Sequence, residues 1–399
     1  MSNVNHINLK SGQNLLIKGY NQRKLRHALF LDRYLKLIFP TRHPQSIPSS
    51  FQNILVVQSH LIGDLVMATP LLKALKKGYP GAKITLLANK FADEVLKGAW
   101  FVDEIVTVNF PWSTYNYSWR NMKEFMRAII QLRHKKIDLA IDAQIDIRNI
   151  ILMLLIGAGR RLGYALTGGG ALLTDKPEFP AGISNLLEAR LSLLQYLGIE
   201  CDDRTTSLPL GQGSLSYVDR FLREKGIFHK KLIGIHPGAS KREKLWPSKN
   251  FADVIRYLKG KGFQPVLIEG PNDNKILLEI QQQMDQAILT FKGNLQSVLA
   301  FVSRCRLLIC LDSAMIHFAG AVGTPALALY GPKWPSLTSP FASNIEILWN
   351  EALDCRPCEY GKCKHKTNIC MQSIVPEEAI DKINKLLQIK PDEDAISKV

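Results

Sequence analysis

Along residues 53–142, short apolar and β-branched runs alternate with amphipathic stretches. NILVVQ, KITLLAN, EIVTVNF and DLAIDAQ read as strands, with a helix of about 118–135 before the last of them. Strands alternating with helices predict βαβ units and a parallel sheet. The rhythm restarts at KLIGIHPG (231–238) and continues through PVLIEG, AILTF, RLLICLD and PALALYG. The pattern therefore predicts two doubly wound α/β domains. Their boundary falls near LPLGQGSLS (208–216), which divides residues 51–212 from 213–375. EEAIDKINKLL, after Pro376, predicts a final helix within 376–399.

The first 50 residues depart from this rhythm. Within 20–38, Leu25, Leu29, Phe30, Tyr34, Leu37 and Ile38 fall near helical spacing among Arg and Lys, predicting a basic amphipathic helix. Such a helix suits a membrane surface or the body of the protein equally well. PTRHPQSIPSS (40–50) reads as a linker. Residues 1–50 hold eight Lys or Arg against one acid, and the whole chain of 399 residues carries +16. This excess points to an anionic partner: nucleic acid, an anionic membrane or a phosphorylated substrate. The apolar run IILMLLIGAG (150–159) covers about half of a bilayer crossing. Seven cysteines and no secretion signal point to a reducing compartment, by default the cytoplasm.

Ligands of doubly wound sheets bind beyond the carboxyl ends of the strands, and three loops there carry chemistry. In QSHLIGD (58–64), Gly63 permits a tight turn, and Asp64 is either a helix cap or a base. In IHPGASKREKLWPSKNF (235–251), Gly238, Ser240, Lys241, Arg242 and Lys244 suit a phosphate. The alternative is a solvated basic loop, with Trp246 in the core and Ser248 capping the next helix. In LLICLDSAMIHFAGAVGTP (307–325), Asp312 and Ser313 open a compact helix whose amides and dipole suit a pyrophosphate. Its alternative is a plain N-cap, with His317 facing the core. Neither G-x-G-x-x-G after the first strand nor G-x-x-x-x-G-K-[ST] occurs, so a dinucleotide fingerprint and a P-loop are excluded.

Taken in order, ILVVQSHLIGDLVMATPLLKALKKGYPGAKITLLA, DLAIDAQIDIRN with GRRLGY, IGIHPGASKREKLWPSKNF and CLDSAMIHFAGAVGTPALALYGP resemble the heptosyltransferases, inverting glycosyltransferases of family 9. The resemblance spans about residues 53–388. It implies the GT-B arrangement, two Rossmann-like domains facing across a cleft, with a last helix crossing back towards the first domain. It further implies an ADP-heptose donor in the C-terminal domain and a lipid-linked lipopolysaccharide core as acceptor in the N-terminal domain.

Carried over by the same resemblance, Asp64 is the general base. His60, Gly63 and Arg148 fall on the acceptor side, where Arg148 would meet a phosphate or a sugar-acid carboxylate. Lys244 and Ser240 would hold the ADP phosphates, and Asp312 the donor sugar. The amides of Ser313, Ala314 and Met315 would meet the pyrophosphate, with His317 one turn behind and Asp273 near the ribose. No catalytic metal is implied, and no Asp-x-Asp site of the kind other glycosyltransferases use stands out. The chain departs from many relatives at Gln58 and His60, which bears on acceptor choice, and in its long basic extension, which suits anionic lipid.

Cys355, Cys358, Cys363 and Cys370 form C-x2-C-x4-C-x6-C around His365. This spacing permits structural zinc or iron, packed free thiols or a disulfide. Rival readings are a GT-B transferase for another nucleotide sugar or acceptor, a nucleic-acid-binding protein with a cysteine-rich metal module, and an inactive scaffold. The absence of any recognised nucleic-acid motif counts against the second. The presence of Asp64, Lys244 and Asp312 counts against the third.

Overall fold

The computed structural model describes residues 46–388 apart from 115, 359–362 and 366, together with 29, 30, 32, 34, 35 and 37. The chain separates into two compact units. The first runs to Thr206 and takes in Ser336–Thr338; the second holds Ser207–Pro335 and the chain from Ser339 onwards. The boundary thus falls a few residues before the expected 212/213 division.

In the first unit, β1 (Asn53–Gln58) leads through α1 (Ile62–Val66) and α2 (Thr69–Gly78) to β2 (Lys83–Ala88) and β3 (Glu104–Thr107). Next come α3 (Trp119–His134), β4 (Leu139–Asp142), α4 (Ile147–Ile156), β5 (Arg160–Leu162) and α5 (Leu186–Tyr196). The five strands lie in the order β3-β2-β1-β4-β5, all parallel. Residues 54–58 of β1 are all buried, as a central strand covered on both faces requires. Leu55 and Val57 of β1 pack with Phe125, Ala128, Ile129 and Leu132 of α3 and with Ile150 and Met153 of α4. The apolar run at 150–159 is thus most of α4 and its terminal turn, with Ile150, Leu152, Met153 and Ile156 buried. α4 starts at the cap Asp146 and stops where Gly157 turns left-handed, at φ 78°.

In the second unit, β6 (Leu232–His236) is followed by α6 (Ser248–Gly260), β7 (Gln264–Glu269), α7 (Asn274–Gln281), β8 (Thr290–Lys292) and α8 (Leu295–Arg304). β9 (Leu307–Leu311), α9 (Ala314–Val322), β10 (Ala326–Leu329), β11 (Ile345–Leu348) and α10 (Pro376–Leu387) complete it. Its parallel strands run β11-β10-β9-β6-β7-β8.

One expectation needs correction. The last helix, α10, was to cross back to the first domain. Instead its apolar face, Ala379, Ile383 and Leu387, joins the core of the second unit with Trp246, Phe251 and Ile255. The described residues among 29–37 are helical; Phe30, Tyr34 and Leu37 are exposed, and Leu35 packs on the first unit's core. Leu25, Ile38 and the first part of the linker lie outside the described residues.

Candidate functional site

In each sheet the strand order reverses at one place, and there the loops diverge to leave a crevice. In the first unit the reversal falls between β1 and β4, in the second between β6 and β9. All three loops selected from the sequence follow one of these strands.

Beyond β1, His60 and Asp64 sit at the head of α1. The helix N-cap is Leu61, and no side chain caps it, so Asp64 is not a cap. Gly63 lies inside the helix without a left-handed φ, so it does not form the tight turn expected of it. Asp64 is instead paired with the buried Arg190 of α5, whose Nη2 lies 3.3 Å from Oδ1. Arg190 is itself fixed, donating from Nε to the Ala143 carbonyl (2.7 Å) and from Nη2 to Gln144 Oε1 (2.8 Å). One oxygen of Asp64 is therefore oriented by the loop that follows β4. Arg190 lies 126 residues from Asp64 and had no signal in the sequence.

That β4 loop carries two more carboxylates. Asp146 caps α4, accepting from the Arg148 amide (2.9 Å), and takes a second bond from Arg148 Nε (2.9 Å). His60 Nε2 reaches Asp146 Oδ2 at 3.3 Å, so the β1 and β4 loops are joined directly. Burial tends to raise the Asp146 carboxyl, but His60 and Arg148 outweigh it and hold the group far below the usual carboxylate range. The Arg148 guanidinium also lies over Trp112, 5.5 Å from the ring centre. Asp142, at the end of β4, is fully buried and accepts from Asn149 Nδ2 (2.8 Å) and from the amides of Gln144 (2.9 Å) and Asp146 (2.8 Å). Burial dominates there and pushes its carboxyl up to about 6. Both aspartates stand in DLAIDAQIDIRN, but only Arg148 stood out from it, since spacing does not show which carboxylates face inward.

In the second unit, Lys244 is buried and points at the end of β9. Its Nζ lies 2.5 Å from Asp312 Oδ2 and 3.0 Å from the Asp312 carbonyl. The β6 and β9 loops, 68 residues apart, meet at this pair. Ser313 is the N-cap of α9 and accepts from the Met315 amide (3.4 Å), with Ala314 as first helical residue. His317, one turn on, is buried. Ser240, Lys241 and Arg242 are exposed on the β6 loop. Trp246 is in the core, where Nε1 donates to the Ile374 carbonyl (2.9 Å). Ser248, expected as the cap of α6, is its first helical residue, and the N-cap is Pro247.

Asp273 binds the β6 and β7 loops together. It accepts from the Gly270 amide (2.9 Å) and lies 3.3 Å from His236 Nε2. Burial opposes its ionisation, yet His236 and the Gly270 amide prevail and lower it. A Cβ on Gly238 would lie 2.1 Å from the Asp273 carboxyl atoms, so the close approach requires glycine.

The cysteines form a separate group. All seven are free thiols, which sets aside the disulfide reading. Burial and the neighbouring Cys355, Cys370 and Cys363 push the Cys358 thiol up to about 11. The four thiols thus share one electrostatic neighbourhood. Among the described residues, however, no three or more His, Cys, Asp or Glu side chains converge to hold a metal ion. A cavity of about 390 Å³ in the first unit, lined by Lys73, Lys77, Ile199 and Asp203 among others, does not include any of these site residues.

Two doubly wound parallel units, each with polar side chains gathered where its strand order reverses, define a GT-B type of glycosyltransferase architecture. The chain belongs to glycosyltransferase family 9 (heptosyltransferase), whose family model matches residues 125–368. It is 26% identical over 336 residues to lipopolysaccharide heptosyltransferase 3 of Escherichia coli, covering 82% of this chain and 96% of that protein. The glycosyl transferase family 9 structure from Veillonella parvula superposes with a TM-score of 0.72 at 21% identity, covering 86% of this chain and 99% of that one. The E. coli ADP-heptose lps heptosyltransferase II gives 0.68 at 21% identity, covering 84% and 99%. The two superpositions bear on the fold alone.

Proposed function

We propose that the chain is an inverting, metal-independent heptosyltransferase that moves L-glycero-D-manno-heptose from ADP-heptose to the inner core of lipopolysaccharide, at the cytoplasmic face of the inner membrane. The observation that carries the reading is the buried Lys244 at the strand-order reversal of the second unit, beside the free end of α9. A cation and a helix N-terminus meeting there suit a nucleotide diphosphate. Because Asp312 offsets the Lys244 charge, the net attraction in this reading comes from the α9 amides and the exposed Lys241 and Arg242. Ser240 donates to the diphosphate, and Asp312 and His317 order the sugar end. His236 and Asp273 hold the loops against the ribose.

In the reaction, Asp64 takes the proton of the acceptor hydroxyl as that oxygen attacks the anomeric carbon opposite the diphosphate. The bond from that carbon to the diphosphate breaks, ADP leaves, and the configuration inverts. The α9 amides, Lys241 and Arg242 stabilise charge on the leaving group, which supplies what a metal supplies elsewhere, while Lys244 offsets the Asp312 carboxylate beside them. Arg190 positions Asp64. His60 and Arg148, tied to Asp146, present the acceptor side. Incubation with ADP-heptose and, separately, UDP-sugars tests the donor: transfer only from a UDP-sugar refutes it. Retention of anomeric configuration in the product refutes single displacement.

A structural zinc or iron at Cys355, Cys358, Cys363 and Cys370 is a secondary part of the reading, supported by the mutual influence of the thiols, and would need them to draw together around the ion. Metal analysis of anaerobically purified protein tests it; metal-free protein with an unchanged melting temperature refutes it.

A further inference from the structure

The helix α3 buries Asn121, Phe125, Ala128, Ile129 and Leu132 against the sheet. Its opposite face is not polar in the ordinary way. Trp119 is 83% exposed, Met126 46% and Ile130 52%. At about 100° per residue, positions 119, 126 and 130 fall within roughly 40° of one another, so the three form a single stripe about 16 Å long. Lys123 and Arg127 flank it on one side and Arg133 on the other, all exposed. The one acid of the helix, Glu124, points away from the stripe and is paired with Arg120 and Lys90, each at 3.5 Å.

We propose that this stripe is a docking surface for an anionic phospholipid bilayer. An aromatic and two aliphatic side chains exposed along a helix and bordered by cations match the apolar and anionic layers of a membrane interface. Trp119, at the end of the stripe, is the residue type that settles at the headgroup level. A binding face for an ordinary protein partner does not require cations along both borders, whereas a phosphate-covered surface attracts them.

The position of the stripe also fits the site. Trp119 follows the β3–α3 loop, whose Ser113 donates to Asn89 Oδ1 (3.2 Å), while Asn89 Nδ2 donates to the Ser59 (3.0 Å) and His60 (2.8 Å) carbonyls. The segment that leads into Trp119 is thus tied at its start to the His60 loop of the same unit. Phe30, Tyr34 and Leu37 form a further exposed apolar face on the segment that Leu35 packs against the same core.

The test uses the full chain and vesicles that contain no acceptor, so its failure is distinct from failure of the transferase reading. We expect co-sedimentation with vesicles of phosphatidylethanolamine and phosphatidylglycerol, weakened by salt, and little with pure phosphatidylcholine. Lys123→Gln with Arg127→Gln lowers the partition coefficient about 25-fold, roughly fivefold per cation lost. Trp119→Ser with Ile130→Ser lowers it as well, at an unchanged melting temperature. Brominated lipid quenches more emission from the wild type than from Trp119→Phe. Equal binding to both vesicle types, or no effect of either double variant, overturns the proposal. So does a dimer in sedimentation velocity that Trp119→Ser with Ile130→Ser abolishes, because the stripe would then belong to a second copy. Shielding of Trp119 from iodide without vesicles also overturns it, since the chain itself would cover the stripe.

Discussion

Replacing Lys244 by Met keeps most of the side-chain volume and removes the charge. The Asp312 side chain, 11% exposed, then has no cation at 2.5 Å. At that distance the gross attraction is about 7 kcal/mol for an effective dielectric constant of about 20. Most of this is offset by the desolvation of both groups, so the pair contributes little compared with an apolar pair of the same shape. Removing one partner is different, because a buried charge is stranded at a cost of about 3–5 kcal/mol. For a unit of this size that lowers the melting temperature by roughly 10 °C. Lys244→Met with Asp312→Leu removes the stranded charge and recovers all but about 1–2 kcal/mol of stability. Scanning calorimetry on the wild type, both single variants and the double variant measures the cycle, and titration calorimetry tracks ADP. ADP affinity falls in Lys244→Met, where Asp312 is left as an uncompensated negative charge, and recovers in large part in the double variant, because the pair as a whole is neutral and the α9 amides, Lys241 and Arg242 remain. A Lys244→Met protein that melts like the wild type refutes the buried pair. A double variant no more stable than Lys244→Met shows that lost packing, not stranded charge, sets the cost.

Three further outcomes are expected. Asp64→Ala abolishes most transfer while ADP-heptose affinity stays within a few-fold, because a base acts chiefly in the transition state; equal loss of donor binding rejects the base role. Gly238→Ala forces a methyl against Asp273 and costs about 1–3 kcal/mol, seen as a lower urea midpoint. Asp273→Ala in the same chain restores part of it, and a Gly238→Ala protein as stable as the wild type removes the argument. Asp142 has a folded carboxyl raised to about 6. The folded state therefore binds its proton more tightly than the unfolded one, and this contribution is fully present below about pH 4 and lost as pH rises through 6. Between about pH 5 and 7 the wild type should lose more stability than Asp142→Asn; parallel urea midpoints contradict the assignment.

The sequence by itself determined the strand and helix rhythm, because a period of two or near four in apolar residues is a local property. Nine strands were legible that way. β5 and β11 were not: RRL of β5 has a single apolar residue, and IEIL of β11 stands outside the alternation of strands with long amphipathic stretches. The three loops were legible too, since they lie beyond strands and hold small and charged residues. Their local roles were less so. The sequence was consistent with Asp64 as a cap, Gly63 as a turn and Ser248 as a cap, whereas backbone geometry at the helix ends gave those places to Leu61 and Pro247. Only the tertiary structure decided the partners: Arg190 for Asp64, Asp146 for His60 and Asp312 for Lys244. These pairs join residues 126, 86 and 68 positions apart. They form because strand order at the sheet's reversal brings loops together and burial then requires each charge to find an opposite one. The α3 stripe has the same origin. Helical spacing placed Trp119, Met126 and Ile130 in one line, but only packing of the opposite face against β1 decided that this line would face outwards.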